Sequence, residues 1–135
     1  MKLTKRQHRK CKDLNKIYII TDWRNRKKNR RNRYGVYIMA KTLLRKYNIG
    51  DWEIRLFDTM RYKSSLAETH YDTRMMIFRT DFALKGEKRD VKGVILHEIA
   101  HVLAGFRSDH NRYWEKIAYE IGAIVYGIIK DKYQQ

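Results

Sequence analysis

One stretch constrains this chain more than any other: Val91-Lys-Gly-Val-Ile-Leu-His-Glu-Ile-Ala-His-Val-Leu-Ala-Gly105, continued by Phe106-Arg-Ser-Asp-His-Asn-Arg-Tyr-Trp114. Val94, Ile95, Leu96, Ile99, Ala100, Val102, Leu103 and Ala104 leave almost no polar side, so the segment reads as a helix buried in a core. Set into that apolar surface are His97, Glu98 and His101, groups that are costly to bury without a partner. A helix turns every 3.6 residues, so side chains at i and i+4 share a face and can converge on one ion at about 2.0 to 2.1 Å per nitrogen. His97-Glu98-x-x-His101 is therefore the spacing of a site for one zinc ion. Glu98, one position along, is the expected general base toward a water whose pKa zinc lowers to about 7.

Three protein ligands would leave a fourth position open for chemistry. His110, nine residues after His101, is the expected third ligand. Gly105 suits a left-handed helix end, and the polar Arg107-Ser-Asp-His110 run can turn the chain back toward the metal. Glu120, on the following helix, is the alternative ligand. Tyr113 has two readings, hydrogen bonding to the oxyanion of a tetrahedral intermediate or packing at the rim of the site.

With 135 residues, 43% of them apolar, the chain is long enough for one domain with a core and too short to expect two. Cys11 is the only cysteine, which excludes an intrachain disulfide framework and a four-cysteine zinc site and suits a reducing compartment. No apolar run approaches a membrane span, and Met1 to Lys16 lacks the apolar core of a secretory signal. A soluble cytoplasmic protein without membrane contact is expected.

The net charge of +16 is unevenly placed. Residues 1–33 hold 14 Lys or Arg against Asp13 and Asp22, whereas the remainder is nearly balanced. This divides the chain into a basic arm, 1–33, and a domain, 34–135. Within the arm, Ile17-Tyr-Ile-Ile20 fits a short strand or one buried helical turn equally well. The like-charged run containing Arg24, Arg26, Lys27, Lys28, Arg30, Arg31 and Arg33 repels itself and suits phosphate neutralisation, with Tyr18, Trp23 and Tyr34 available to stack on bases or to pack on the domain. Its charge suits DNA and RNA alike.

Downstream, Val36, Tyr37, Ala40, Leu43, Leu44 and Tyr47 recur at helical spacing over Tyr34 to Asn48, with Gly50 just beyond. Trp52, Ile54 and Leu56 alternate as in a half-buried strand, and Met75 to Phe78 form a second, apolar one after the turn-prone Tyr71-Asp-Thr73. Met75 and Met76 read as core, His70 as a polar strand residue rather than an extra ligand, and Lys85 to Asp90 as a polar connection. Trp114, Ile117, Ala118, Ile121, Ile124, Val125 and Ile128 predict a closing helix in which Gly122 and Gly127 mark close packing. The fold class expected is α+β, a small antiparallel sheet packed on helices.

His97-Glu-Ile-Ala-His101, then Gly105, His110 and Trp114, followed by Ile117-Ala-Tyr-Glu-Ile-Gly122, resembles the SprT-like zinc metalloprotease domain, especially its short bacterial and phage forms. Trp52 to Phe57 falls where that family has its first core strand, and Ser65 to Phe82 where it has a hairpin, so the likeness covers about residues 34–129. It implies a zincin-like metalloprotease fold, zinc ligation by His97, His101 and His110, catalysis by Glu98, and action on DNA-associated proteins in the cytoplasm of a bacterium or of a phage-infected host, near the nucleoid. Two features depart from the family: Asn111 stands where glycine often follows the third histidine, and no cysteine-rich zinc ribbon follows. A reading of a different class is a nucleic-acid-binding module with a purely structural zinc. Glu98 speaks against that, because a structural site needs no carboxylate beside the metal.

Overall fold

The computed structural model describes residues 30–60, 65–105, 110–123 and 132–133. His8, Cys11, the Ile17 to Ile20 run, Tyr18, Trp23, Arg24, Arg26, Lys27 and Lys28 lie outside these residues, as do the Arg107 to Asp109 turn and Ile124, Val125, Gly127 and Ile128.

The predicted first helix forms as α1, Arg33–Lys46. Asn32 caps it by accepting the Gly35 N–H at 2.8 Å, and Val36, Ala40, Leu43 and Leu44 make its buried stripe. Lys41 donates from Nζ to the carbonyls of Gly50 and Trp52, both at 2.6 Å, fastening the loop that leads into the sheet. Three strands follow: β1, Glu53–Phe57; β2, Ala67–His70; and β3, Met75–Arg79. β3 is buried along nearly its whole length and lies at the centre, in the order β1-β3-β2. A continuous apolar run such as Met75 to Phe78 suits that doubly covered position.

The sheet is mixed, which corrects the antiparallel expectation. β2 pairs antiparallel with β3, Ala67 opposite Phe78 and His70 opposite Met75, but β1 runs parallel to β3, Glu53 beside Met75 and Phe57 beside Arg79. The physical reason is the short connection from Phe57 to Ala67. It returns the chain at the same end of the sheet, so β2 must run opposite to β1, and the β2–β3 hairpin then sets β3 parallel to β1. The parallel pair is thus joined through β2 itself, a connection long enough for a crossover.

β3 passes without a gap into α2, Thr80–Lys85, a short helix absent from the sequence expectation. Asp81 Oδ1 accepts the Phe82 N–H and the Arg79 Nε–H, both at 2.7 Å, so the corner is held by side chains rather than by a long periodic pattern. The connection expected over Lys85 to Asp90 is shorter than foreseen, because α3 begins at Lys88 and runs to Ala104. From Asp90 to Ala100 all but Lys92 are buried. α4, Arg112–Ile121, is capped by Asn111, whose side chain accepts the Trp114 N–H at 3.0 Å. Gly122, at φ 83°, ends α4 in the left-handed region, so its role is termination rather than close packing within a longer helix.

Tyr133, fully buried, packs edge-on against Phe82 with ring centroids 4.7 Å apart. Its hydroxyl donates to Asp90 Oδ2 at 2.7 Å and accepts the Glu87 N–H at 2.9 Å, while Arg79 donates to its carbonyl at 2.7 Å. Lys132 Nζ reaches Glu87 and Asp90 at 2.5 and 2.8 Å. Among the described residues no helix is long and apolar enough to cross a membrane.

Candidate metal centre

α3 brings His97 and His101 to one face, as the four-residue spacing requires. The chain then leaves through Gly105, at φ 101° and ψ 160°, a backbone region reserved essentially for glycine. This differs from the left-handed helix end expected, yet it uses the same residue for the same purpose. His110 returns at φ 59°, the left-handed region that a β-carbon disfavours, immediately before the Asn111 cap of α4. The departure from glycine at position 111 thus supplies the cap that starts the next helix.

Three imidazole nitrogens meet. His110 Nε2 lies 3.1 Å from His97 Nε2 and 3.0 Å from His101 Nε2. The corners of a tetrahedral shell with metal–nitrogen bonds of about 2.05 Å are about 3.3 Å apart, so these separations suit three donors of one small ion. Among the described residues no further histidine, cysteine or carboxylate joins the group. Glu120, the alternative third ligand, is exposed on α4 and stands outside it. Exposure rises from buried His97 through His101 to exposed His110, so the cluster opens to solvent on its third side.

Trp114 forms the cluster's wall. Its ring lies 4.8, 5.3 and 4.6 Å from those of His97, His101 and His110. Tyr113, next to it in the sequence, is 57% exposed.

Glu98 sits inside the domain, 4% exposed, and accepts a hydrogen bond from Thr69 Oγ1 at 2.6 Å. Burial pushes its carboxyl up to about 7; the Thr69 bond opposes that rise and the charge of nearby Glu68 adds to it. Glu68 in turn contacts His70 at 3.0 Å, which gives His70 a polar partner on β2 and keeps it out of the metal group. Tyr71 donates its hydroxyl to the His101 carbonyl at 3.2 Å, tying the hairpin turn to the last turns of α3. Thr69, Glu68 and Tyr71 were missed in the sequence. The only signal for them was a polar strand in front of an apolar one.

Of the basic residues assigned to nucleic acid, three are described. Arg30 and Arg33 are exposed. Arg31 is committed to the fold, donating to the carbonyls of Ala83 and Gly86 at 2.6 Å each, where it closes the C-terminal end of α2. Compared with known protein families, curated proteins and solved structures, the chain matches none.

Proposed function

We propose that this protein is a zinc metallopeptidase of the SprT-like, zincin-fold kind, acting on DNA-associated proteins and brought to them by its basic arm. The observation that carries the reading is the convergence of His97, His101 and His110 within about one ligand-to-ligand distance, with a buried carboxylate on the residue next to His97. A zinc ion bound there would supply Lewis-acid polarisation of a scissile carbonyl and acidify a water. Glu98 would take a proton from the attacking water and pass it to the leaving amine. A carboxyl whose pKa lies near 7 is suited to both transfers, because a base must also be able to give the proton back. Thr69 would hold that carboxylate in one orientation throughout.

A peptide substrate is favoured by the sheet. Among the described residues β2 is an edge strand and carries Thr69 against Glu98, so an extended peptide added to its outer edge would lie along the strand that holds the candidate base. A set of three donors among the described residues also favours catalysis over a structural role, for which four protein ligands are usual.

The test uses zinc-loaded protein and a mixture of basic DNA-binding proteins, with and without single-stranded and duplex DNA. Cleavage by the wild type and none by Glu98→Gln, with equal zinc content and a melting temperature no lower than that of the wild type, is the expected result. Equal behaviour of the two proteins would leave the binding-module reading in its place.

A further inference from the structure

We propose that the domain itself, apart from the arm, holds a single strand of nucleic acid in the groove between α1 and α3. The inference does not depend on peptidase activity. Two adjoining cavities line this face, of about 320 Å³ and about 470 Å³, and they share Leu43 and Lys92. Their floor is apolar, with Leu43, Met39 and Leu96. Their exposed cations are Lys46 from α1 and Lys88, Arg89 and Lys92 from α3, and among the described residues no acidic one lines either cavity.

The placement of these charges is unfavourable for the free protein. Lys88 and Lys92 are a like-charged i, i+4 pair, and with Arg89 they stand in the first turns of α3, at the positive end of its dipole. The acidic residues at that end do not offset them: Asp90 is buried against Tyr133 and Lys132, and Lys132 also occupies Glu87. Lys46, Lys88 and Lys92 have no anionic partner among the described residues, and Arg89 has only a 3.9 Å approach to Asp90. An anion would relieve this repulsion.

Shape narrows the anion to a strand. From Lys88 to Leu96 the groove follows α3 for about 12 Å at about 1.5 Å per residue. At the roughly 3.4 Å rise of stacked bases that is three to four nucleotides, more than a lone phosphate needs. Tyr47 lines one end, and Tyr34, 70% exposed, stands one helical turn before Ile38 at the other. An apolar floor with tyrosine at each end suits unpaired bases, whereas a duplex would keep its bases inside and offer the floor nothing. Leu96 is adjacent to His97, so a strand in the groove would lie on the flank of the helix that carries two of the three clustered histidines.

The experiment measures binding of the full-length, zinc-loaded chain to labelled oligothymidylate, oligouridylate and a duplex of equal length across a salt series. Two variants are compared, both with three exposed cations removed and the arm intact: Lys46→Gln/Arg89→Gln/Lys92→Gln in the groove, and Arg45→Gln/Arg55→Gln/Lys116→Gln elsewhere. The groove variant is expected to bind both single strands roughly tenfold or more weakly near 0.1 M salt, with the salt dependence flattened by about 2, since each single-strand phosphate contact contributes about 0.7. The control variant should change little, zinc content should be unaltered in both, and the melting temperature should fall in neither. Equal weakening by the two variants, or none by the groove variant, would overturn the proposal. A loss confined to the duplex would overturn the single-strand assignment.

Discussion

Glu98 is the residue on which chemistry and stability pull in opposite directions. Its carboxyl is raised to about 7 from an ordinary 4.5, so the folded protein binds this proton more tightly than the unfolded chain does. The associated stability is complete below about pH 4.5 and is lost as the pH rises to about 7. In metal-free protein, urea unfolding should show Glu98→Gln gaining on the wild type over that window, reaching about 3 kcal/mol at pH 8 by linkage. A pH-independent difference between the two would refute the burial account. Thr69→Val removes the one hydroxyl seen on that carboxylate, and should cut peptidase turnover about tenfold with KM little changed, while Thr69→Ser restores it. His110 is exposed and lies outside the core. His110→Ala should therefore weaken zinc binding more than about 100-fold in chelator competition, with a metal-free melting temperature close to that of the wild type. The three histidines were legible because helical periodicity and a turn-prone return bring them together from local pattern alone. Thr69 was not, because its pairing with Glu98 depends on how a strand registers against a distant helix.

Among the elements, the start of α4 decides the geometry of the cluster. Asn111 caps α4, and α4 carries Trp114 against all three imidazoles, so the cap acts on the cluster through the helix it starts. Asn111→Ala should cost about 1 kcal/mol in thermal unfolding and also weaken zinc binding, whereas a purely local cap would leave metal affinity alone. Helices α1, α3 and α4 were visible in the sequence because each presents an apolar stripe or an apolar circumference over ten or more residues. α2 has six residues, too few to display a period, and its start is set by Asp81. The parallel pairing of β1 was equally hidden. Alternation reports which face of a strand is buried, but strand direction follows from the length and path of connections.

Across the whole molecule, the corner where α2 meets α3 gathers one of two polar clusters among the described interior residues, the other being at His97 and Glu98. Lys132 is the cation shared by Glu87 and the buried Asp90. Lys132→Met should destabilise the fold by about 3 kcal/mol in urea, because it leaves the buried Asp90 with only the exposed Arg89, 3.9 Å away, as a counter-charge, and pairing it with Asp90→Asn should recover much of that loss. Arg31, where the described domain begins, grips the carbonyls at the end of α2, and Tyr133, near its other limit, clamps Phe82 on the same helix. A pull on the arm by a tethered polymer, resisted at the far end of the domain, would therefore be carried across this one corner. Histidines 97 and 101, some 14 to 20 Å further along α3 at about 1.5 Å per residue, would stay off the line of tension.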